Sequence, residues 1–275
     1  MSSTRKSFRR PGDVAPRARG THTMRLLAIE TATEWASVAL WDDRHPSRPG
    51  VVGEARCEER GRTSRELFPA IDRLLSERGW RVADLDGLAL SIGPGSFTGL
   101  RIGVSVVKGL VGARAMPVAA VGTLDAVAVA SGCSGLVAAC LDAKRGEMFG
   151  RLFRCAEGVL DPVTDEVLAP PSAWAASLPG DEAVWCVGDG AVLHRDGLAE
   201  ALGARGRFGS SPAMTIAAAV AALGVRGLAS GDATPVAELV PRYLRRVAAE
   251  VNLERGLVGS RRRLALGWDP GHDRS

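Results

Sequence analysis

Aromatic residues are scarce in this chain: Phe, Trp and Tyr make up 5% of 275 residues, with a single Tyr. Ala, Gly and Val dominate instead, so the core has to be built from small side chains in close contact. Long apolar runs are missing too. None reaches the roughly 18 residues that a membrane-spanning helix requires. The first 23 residues are basic but lack the apolar stretch of a secretory signal. Cysteine is present without a pattern: Cys57, Cys133, Cys140, Cys155 and Cys186 are odd in number and show no C-x-x-C spacing. That argues against a disulfide framework or a zinc site, and for small buried hydrophobes in a reducing, cytoplasmic compartment. Histidine is limited to His22, His45, His194 and His272, none at metal-ligand spacing. Neither a Ser/His/Asp set nor a metal centre can be assembled from them, so no catalytic residue and no metal ligand is assigned.

What is present is an ordinary globular composition, 46% hydrophobic and 24% charged, long enough for one large domain or two modest ones. The formal charge of +4 is concentrated at one end. Residues 1–23 hold six Lys/Arg against one Asp, leaving 29 Lys/Arg and 30 Asp/Glu in the remainder. The body is not basic, so nucleic-acid affinity would need a local patch, the basic extension or a partner.

The apolar run 25–32 reads as a buried strand, and residues 35–43 and 51–57 as two more. Residues 63–79 read as a helix, with Thr63 and Glu66 as a capping pair and Pro69 disturbing its first turn. A strand over 85–93, a helix to about Ala113, a strand over 116–121 and a helix over 123–131 complete a mixed, helix-covered sheet. The chain then repeats itself. Residues 26–41 lie on residues 138–153 at a constant offset of 112, an apolar strand ending in Glu30 or Asp142, then a polar turn and a second strand. This predicts tandem duplication. Strands near 159–168 and 183–187 and helices near 191–202 and 214–228 are expected to fill the second half. An edge segment is expected near the C-terminal "AELVPRYLRRVAAE". The expected organisation is a basic extension over 1–23, lobes over 24–131 and 132–246, and a tail over 247–275.

Two acids at equivalent strand ends, with glycine turns near them, suit a magnesium–nucleotide complex. The turns are "GPGSFTG", carrying Gly93, Gly95 and Ser96, and "VGDGA", carrying Gly188 and Gly190. Neither continues into the Gly-Lys-Ser/Thr of a P-loop, and neither is a G-x-S-x-G nucleophile elbow. A turn or cap role for Glu30 and Asp142 stays open beside the metal role. The helix after the first turn is apolar on two sides, through Phe97, Leu100, Val104 and Val107 on one and Ile102, Val106 and Leu110 on the other. A helix of that kind needs two covers. Gly99 and Gly103, four apart, suggest close approach of another backbone. The second cover is either the 63–79 helix of the same chain or a second protein.

The segments "LLAIETATEWASVALW", "GLALSIGPGSFTGLRIGVSVVKGL", "LDAKRGEMF", "VGDGA" and "VPRYLR" occur in this order. Together they resemble the TsaB family over about residues 24–246. The resemblance implies an α/β fold of two tandem actin-like lobes of the ASKHA, ribonuclease-H-like kind. It implies a non-catalytic subunit that docks on a catalytic paralogue, TsaD, for threonylcarbamoylation of adenosine beside the tRNA anticodon. An ATPase, TsaE, joins them, tRNA is met through the complex, and a homodimer is an alternative assembly. Docking through the 63–79 and 96–113 helices assigns Leu67, Phe68, Ile71, Leu75, Phe97, Leu100, Arg101, Gly103, Val104 and Val107 to the partner surface. Glu30, Gly93, Gly95, Ser96, Asp142, Gly188 and Gly190 become vestigial nucleotide-binding positions, with ATP and magnesium entering only within the complex. The paralogue's metal-binding histidines are missing from "GRTSRELFPAI", so neither the transfer nor a glycopeptidase activity is expected of this chain. An active ASKHA phosphotransferase acting on a small molecule is the rival reading, and direct tRNA binding by the basic extension a third.

Overall fold

The computed structural model describes residues 23–44, 50–57, 63–156, 159–209 and 214–245. The basic extension before residue 23 and the tail after residue 245 lie outside them. The first half runs β1 (Arg25–Glu30), β2 (Ser37–Asp42), β3 (Gly50–Arg56), α1 (Thr63–Glu77), β4 (Gly87–Gly93), α2 (Phe97–Ala113), β5 (Val118–Gly122) and α3 (Thr123–Ala130). The second half runs β6 (Gly135–Asp142), β7 (Met148–Ala156), β8 (Val159–Pro162), β9 (Val167–Ala169), α4 (Pro171–Ser177), β10 (Val184–Val187), α5 (Asp189–Leu193), α6 (Arg195–Leu202), β11 (Gly206–Phe208) and α7 (Ile216–Ala229).

The two sheets share one topology. The first is ordered β3-β2-β1-β4-β5 and the second β8-β7-β6-β10-β11, with β9 added on β7. In the first, β1 pairs antiparallel with β2 and parallel with β4; in the second, β6 pairs antiparallel with β7 and parallel with β10. Glu30 pairs with Ser37 at one hairpin end and Asp142 with Met148 at the other, so the repeat read in the sequence is a repeat of strand positions. The α/β, two-lobe ASKHA-type fold expected from the sequence is the fold observed.

Alternation along β1 explains the layering. Leu27 and Ile29 enter a core with α1 and α2, through Leu67, Ile71, Leu75, Val104 and Val107. Leu26 and Ala28 face the other way, onto Ala126 and Ala130 of α3 and Ala217–Ala221 of α7. Helix α3 then turns Leu124, Val127 and Ala128 to the second sheet, against Val137, Leu141, Phe149 and Phe153. The far side of that sheet is closed by Trp174, Leu198 and Leu202. Helices α3 and α7 therefore form a layer between the sheets.

Several local expectations are corrected. The 214–228 helix does not fill out the second half; α7 packs on the first sheet, where its alanines fit the flat face of Ala28, Ala39 and Ala89. The 191–202 helix is two helices broken at His194. The 159–168 strand is two short strands. No strand forms at 237–245, although Leu239 enters the first core. Helix α1 begins at Thr63 itself, so Thr63 is not its cap, and it runs on through Pro69. Among the described residues, no helix is long and apolar enough to cross a membrane.

The close fit of α7 gives a direct test. A Cβ on Gly224 would lie 2.5 Å from the Cβ of Ala89. Gly224→Val is expected to lower unfolding free energy by about 1–3 kcal/mol through overpacking, read as a lower urea midpoint at unchanged slope.

Candidate functional site

A cleft of about 550 Å³ opens between the lobes. One wall is the turn after β1, Thr31–Glu34, with the first turn of α2. The other is the turn after β6, Leu141–Lys144, with Asp189 at the start of α5; residues 242–245 line the cleft as well. The duplication thus brings both acid-bearing turns toward one space, as the sequence predicts.

The acids themselves are occupied by their own turns. Glu30 is 0% exposed. Its Oε1 accepts from the N–H of Ala32 at 2.6 Å and of Thr33 at 2.8 Å, and its Oε2 accepts from Thr33 Oγ1 at 2.7 Å. Burial pushes the Glu30 carboxyl up to about 7, although these donors pull the other way. Asp142 Oδ1 accepts from the Lys144 N–H at 2.8 Å and Oδ2 from Lys144 Nζ at 2.5 Å. Burial raises its carboxyl, but Lys144, aided by His194, outweighs that and holds it below the ordinary range. Asp189 Oδ1 accepts from the Asp142 N–H at 3.1 Å, and burial is the first cause of its raised pKa. His194 Nε2 stands 3.6 Å from Asp142 Oδ1, too far for a hydrogen bond. The acid pair fits a magnesium–nucleotide complex poorly, because both carboxylates are already engaged by the chain's own donors. Among the described residues, no group of three or more His, Cys, Asp or Glu could hold a metal ion.

The glycine turns are close-packing devices. A Cβ on Gly95 would lie 2.3 Å from the Ala32 carbonyl oxygen, and on Gly188 2.2 Å from that of Cys140. Gly190 abuts the backbone of Leu141 in the same way. On Gly93, at φ +122°, a Cβ would lie 2.3 Å from the Arg242 carbonyl oxygen. Ser96 caps α2, its Oγ accepting from the Gly99 N–H at 3.2 Å.

The partner-surface assignment changes more. Leu67, Ile71, Leu75, Leu100, Val104 and Val107 are buried in the first lobe's own core. The approach that Gly103 permits is internal: its Cβ would lie 2.5 Å from Thr31 Oγ1 and 2.9 Å from Leu90 Cδ1. Six of these seven are therefore removed from any surface, while Leu67, although 0% exposed, lines the groove between α1 and α2. Of the ten, Phe68 is 53% exposed, Phe97 40% exposed, and Arg101 exposed. They flank a groove of about 410 Å³ between α1 and α2, shared with Ile102 and Ser105. The Arg101 guanidinium lies 5.3 Å from the centre of the Phe97 ring.

Known proteins resemble this chain in sequence and fold. The family model of TsaD, tRNA N6-adenosine threonylcarbamoyltransferase, matches residues 45–190. The tRNA threonylcarbamoyladenosine biosynthesis protein TsaB of Bacillus subtilis is 30% identical over 231 residues, covering 82% of this chain and 96% of that protein. The chain belongs to the TsaB family. The TsaB of Escherichia coli is 39% identical over 132 residues, covering 46% of this chain and 53% of that protein. The solved structure of YeaZ from Pseudomonas aeruginosa superimposes with a TM-score of 0.68 at 27% identity, covering 80% of this chain and all of that one.

Some cleft residues of this TsaB-family chain escape sequence reasoning: Lys144, Asp189, Arg242, Tyr243 and Arg245. Lys144 and Asp189 stand inside motifs already singled out, "LDAKRGEMF" and "VGDGA", and the rest inside "VPRYLR". The missing information was which motif meets which.

The state of Glu30 predicts a pH dependence. Its folded pKa is above its unfolded value of about 4.5, so the folded chain binds the proton more tightly. Stability should then fall as pH rises from about 4.5 to about 7, by an amount on the order of a few kcal/mol. Glu30→Gln keeps the shape and removes the titration. Its melting temperature should be flatter than that of the parent over this window; an equal slope would place the titration elsewhere.

Proposed function

We propose that this chain is a non-catalytic subunit in the making of threonylcarbamoyladenosine in tRNA, docking on a TsaD-type threonylcarbamoyltransferase through the outer face of α1 and α2. Membership of the TsaB family supplies the pathway. The observation that carries the docking face is the exposure of Phe68, Phe97 and Arg101 around one groove, on helices whose inner faces are spent on the first core. Aromatic and arginine side chains at the centre of a patch are the groups that concentrate binding energy. A second copy of the chain would compete for the same face, and a TsaE-type ATPase joins the assembled pair. tRNA is met through the complex.

The rival phosphotransferase reading loses support from the acids. Glu30 has both oxygens engaged, and Asp142 is paired to Lys144. The chain alone therefore holds no nucleotide tightly, and ATP with magnesium enters only in the assembly. The tRNA-binding reading depends on the basic extension, outside the described residues.

The test is co-elution with the TsaD-type protein of the same organism, together with an assay of tRNA modification. Modification should require both proteins. Phe68→Asp and Arg101→Glu should each weaken the complex by roughly tenfold or more at unchanged melting temperature. Gly103→Leu should instead lower the melting temperature, because its side chain enters the space of Thr31 and Leu90. Normal binding by both surface variants would move the interface elsewhere. ATP turnover by the chain alone would restore the kinase reading.

A further inference from the structure

The segment Val240–Arg245 has no regular structure, yet its residues touch the two lobes in turn. Leu239, just before it, is buried in the first core. The Arg242 N–H donates to the Ile92 carbonyl at 2.7 Å, on β4 of the first lobe. Its guanidinium donates both to the Gly93 carbonyl at 3.0 Å and to Glu166 Oε1 at 2.6 Å, the latter in the second lobe between β8 and β9. Tyr243 returns to the first lobe, its ring 5.0 Å from that of Phe97. Leu244 packs with the core of the second sheet. Arg245 donates to the Ala143 carbonyl at 2.6 Å and to Glu147, closing on the β6–β7 turn.

Two further observations show that both lobes are shaped for this strap. Gly93 is bare where the Arg242 carbonyl passes, at 2.3 Å from the position of a Cβ, and its φ of +122° is one that side-chain-bearing residues avoid. On the other side, Glu166 is shared. Arg151 stands 3.8 Å from it and 3.5 Å from Asp125 of α3, so the Arg242 contact joins an ion-pair group reaching into the central helical layer. Strap, α3, β7 and the end of β4 meet in one place.

We infer that Val240–Arg245 is an interlobe lock: its contacts fix the opening of the cleft, and the Phe97–Tyr243 stack ties that opening to the α1–α2 groove. Phe97 serves both spaces, lining the groove on one side and the cleft on the other. A partner seated against Phe97 favours the stacked strap, and the engaged strap presents Phe97 to the partner, as linkage requires. This second half rests on the docking face proposed above; the lock itself does not.

Hydrogen exchange on the whole chain tests the two separately. In Arg242→Gln/Arg245→Gln, amides of the 143–147 turn and of Ile92, Gly93 and Gly95 should exchange roughly tenfold faster, while those within β1 and β6 keep their rates. Acceleration confined to 240–245 itself would overturn the lock. So would a uniform loss across both sheets, which would make the strap part of one common core. Reversing one contact, Arg245→Glu with Glu147→Arg, should restore protection that Arg245→Glu alone removes. With saturating TsaD-type partner, the lock predicts slower exchange at 143–147 as well as on α1 and α2. Protection on the helices without protection at 143–147 would overturn the coupling and leave the docking face standing. Protection on neither would overturn the docking face, and with it the coupling, while the variants still decide the lock.

Discussion

Helices α3 and α7 lie between two β-sheets that both need covering, and small side chains let one layer do it. The first sheet offers Ala28, Ala39, Ala89 and Ala119 to alanines of α3 and α7, an interface with little relief on either side. Close contact over a large area substitutes here for the interdigitation of big side chains. The same α3 then spends its larger residues, Leu124 and Val127, on the second sheet. The scarcity of aromatics in the composition has its physical meaning in this layer. It also makes the lobes interdependent, because neither sheet is covered on its inner face without helices that the other half supplies or shares.

The central strands β1, β4, β6 and β10 were legible as short apolar runs, and the repeat at offset 112 matches β1 and β2 to β6 and β7, whereas the short polar β11 carried no such signal. Helix α2 was legible through its apolar periodicity, whereas its Ser96 cap emerged only in the structure. Helix α7 was found, but not its partner, since an alanine-rich helix carries no signature that distinguishes one flat sheet from another. The residues 240–245 have neither period, so nothing in their pattern predicts that they bridge the lobes. Contacts between distant segments are set by the packing of the whole chain, which a local pattern does not carry.

The expected partner surface shows a related limit. Leu67, Ile71, Leu100 and Val107 are apolar at helical spacing, which is what a docking face and a core face both require. Periodicity places a residue on a face and does not say what covers that face. Burial in the folded chain separates the two: Leu67, Ile71, Leu100 and Val107 lie in the core, while Phe68 and Phe97 remain exposed. Arg101 covers one of these rings, a contact that leaves an amphipathic patch soluble while keeping it available.

The loop "GPGSFTG" illustrates how one stretch can look like a ligand cradle and be needed for another reason. Gly93 admits the strap, Gly95 and Gly99 admit the turn after β1, and Gly103, one turn further along α2, admits Thr31. Glu30 holds that turn in shape with both oxygens, and the Ser96 N–H donates to the Ala32 carbonyl at 2.7 Å across the same contact. Acid, turn, loop and helix thus form a single packed unit, in which the carboxylate and glycines of a nucleotide-binding pattern are used by the protein on itself. A carboxylate that accepts three hydrogen bonds at full burial is costly to free for a cation, since freeing it leaves three donors unpaired. That cost ties the acid to the turn it shapes.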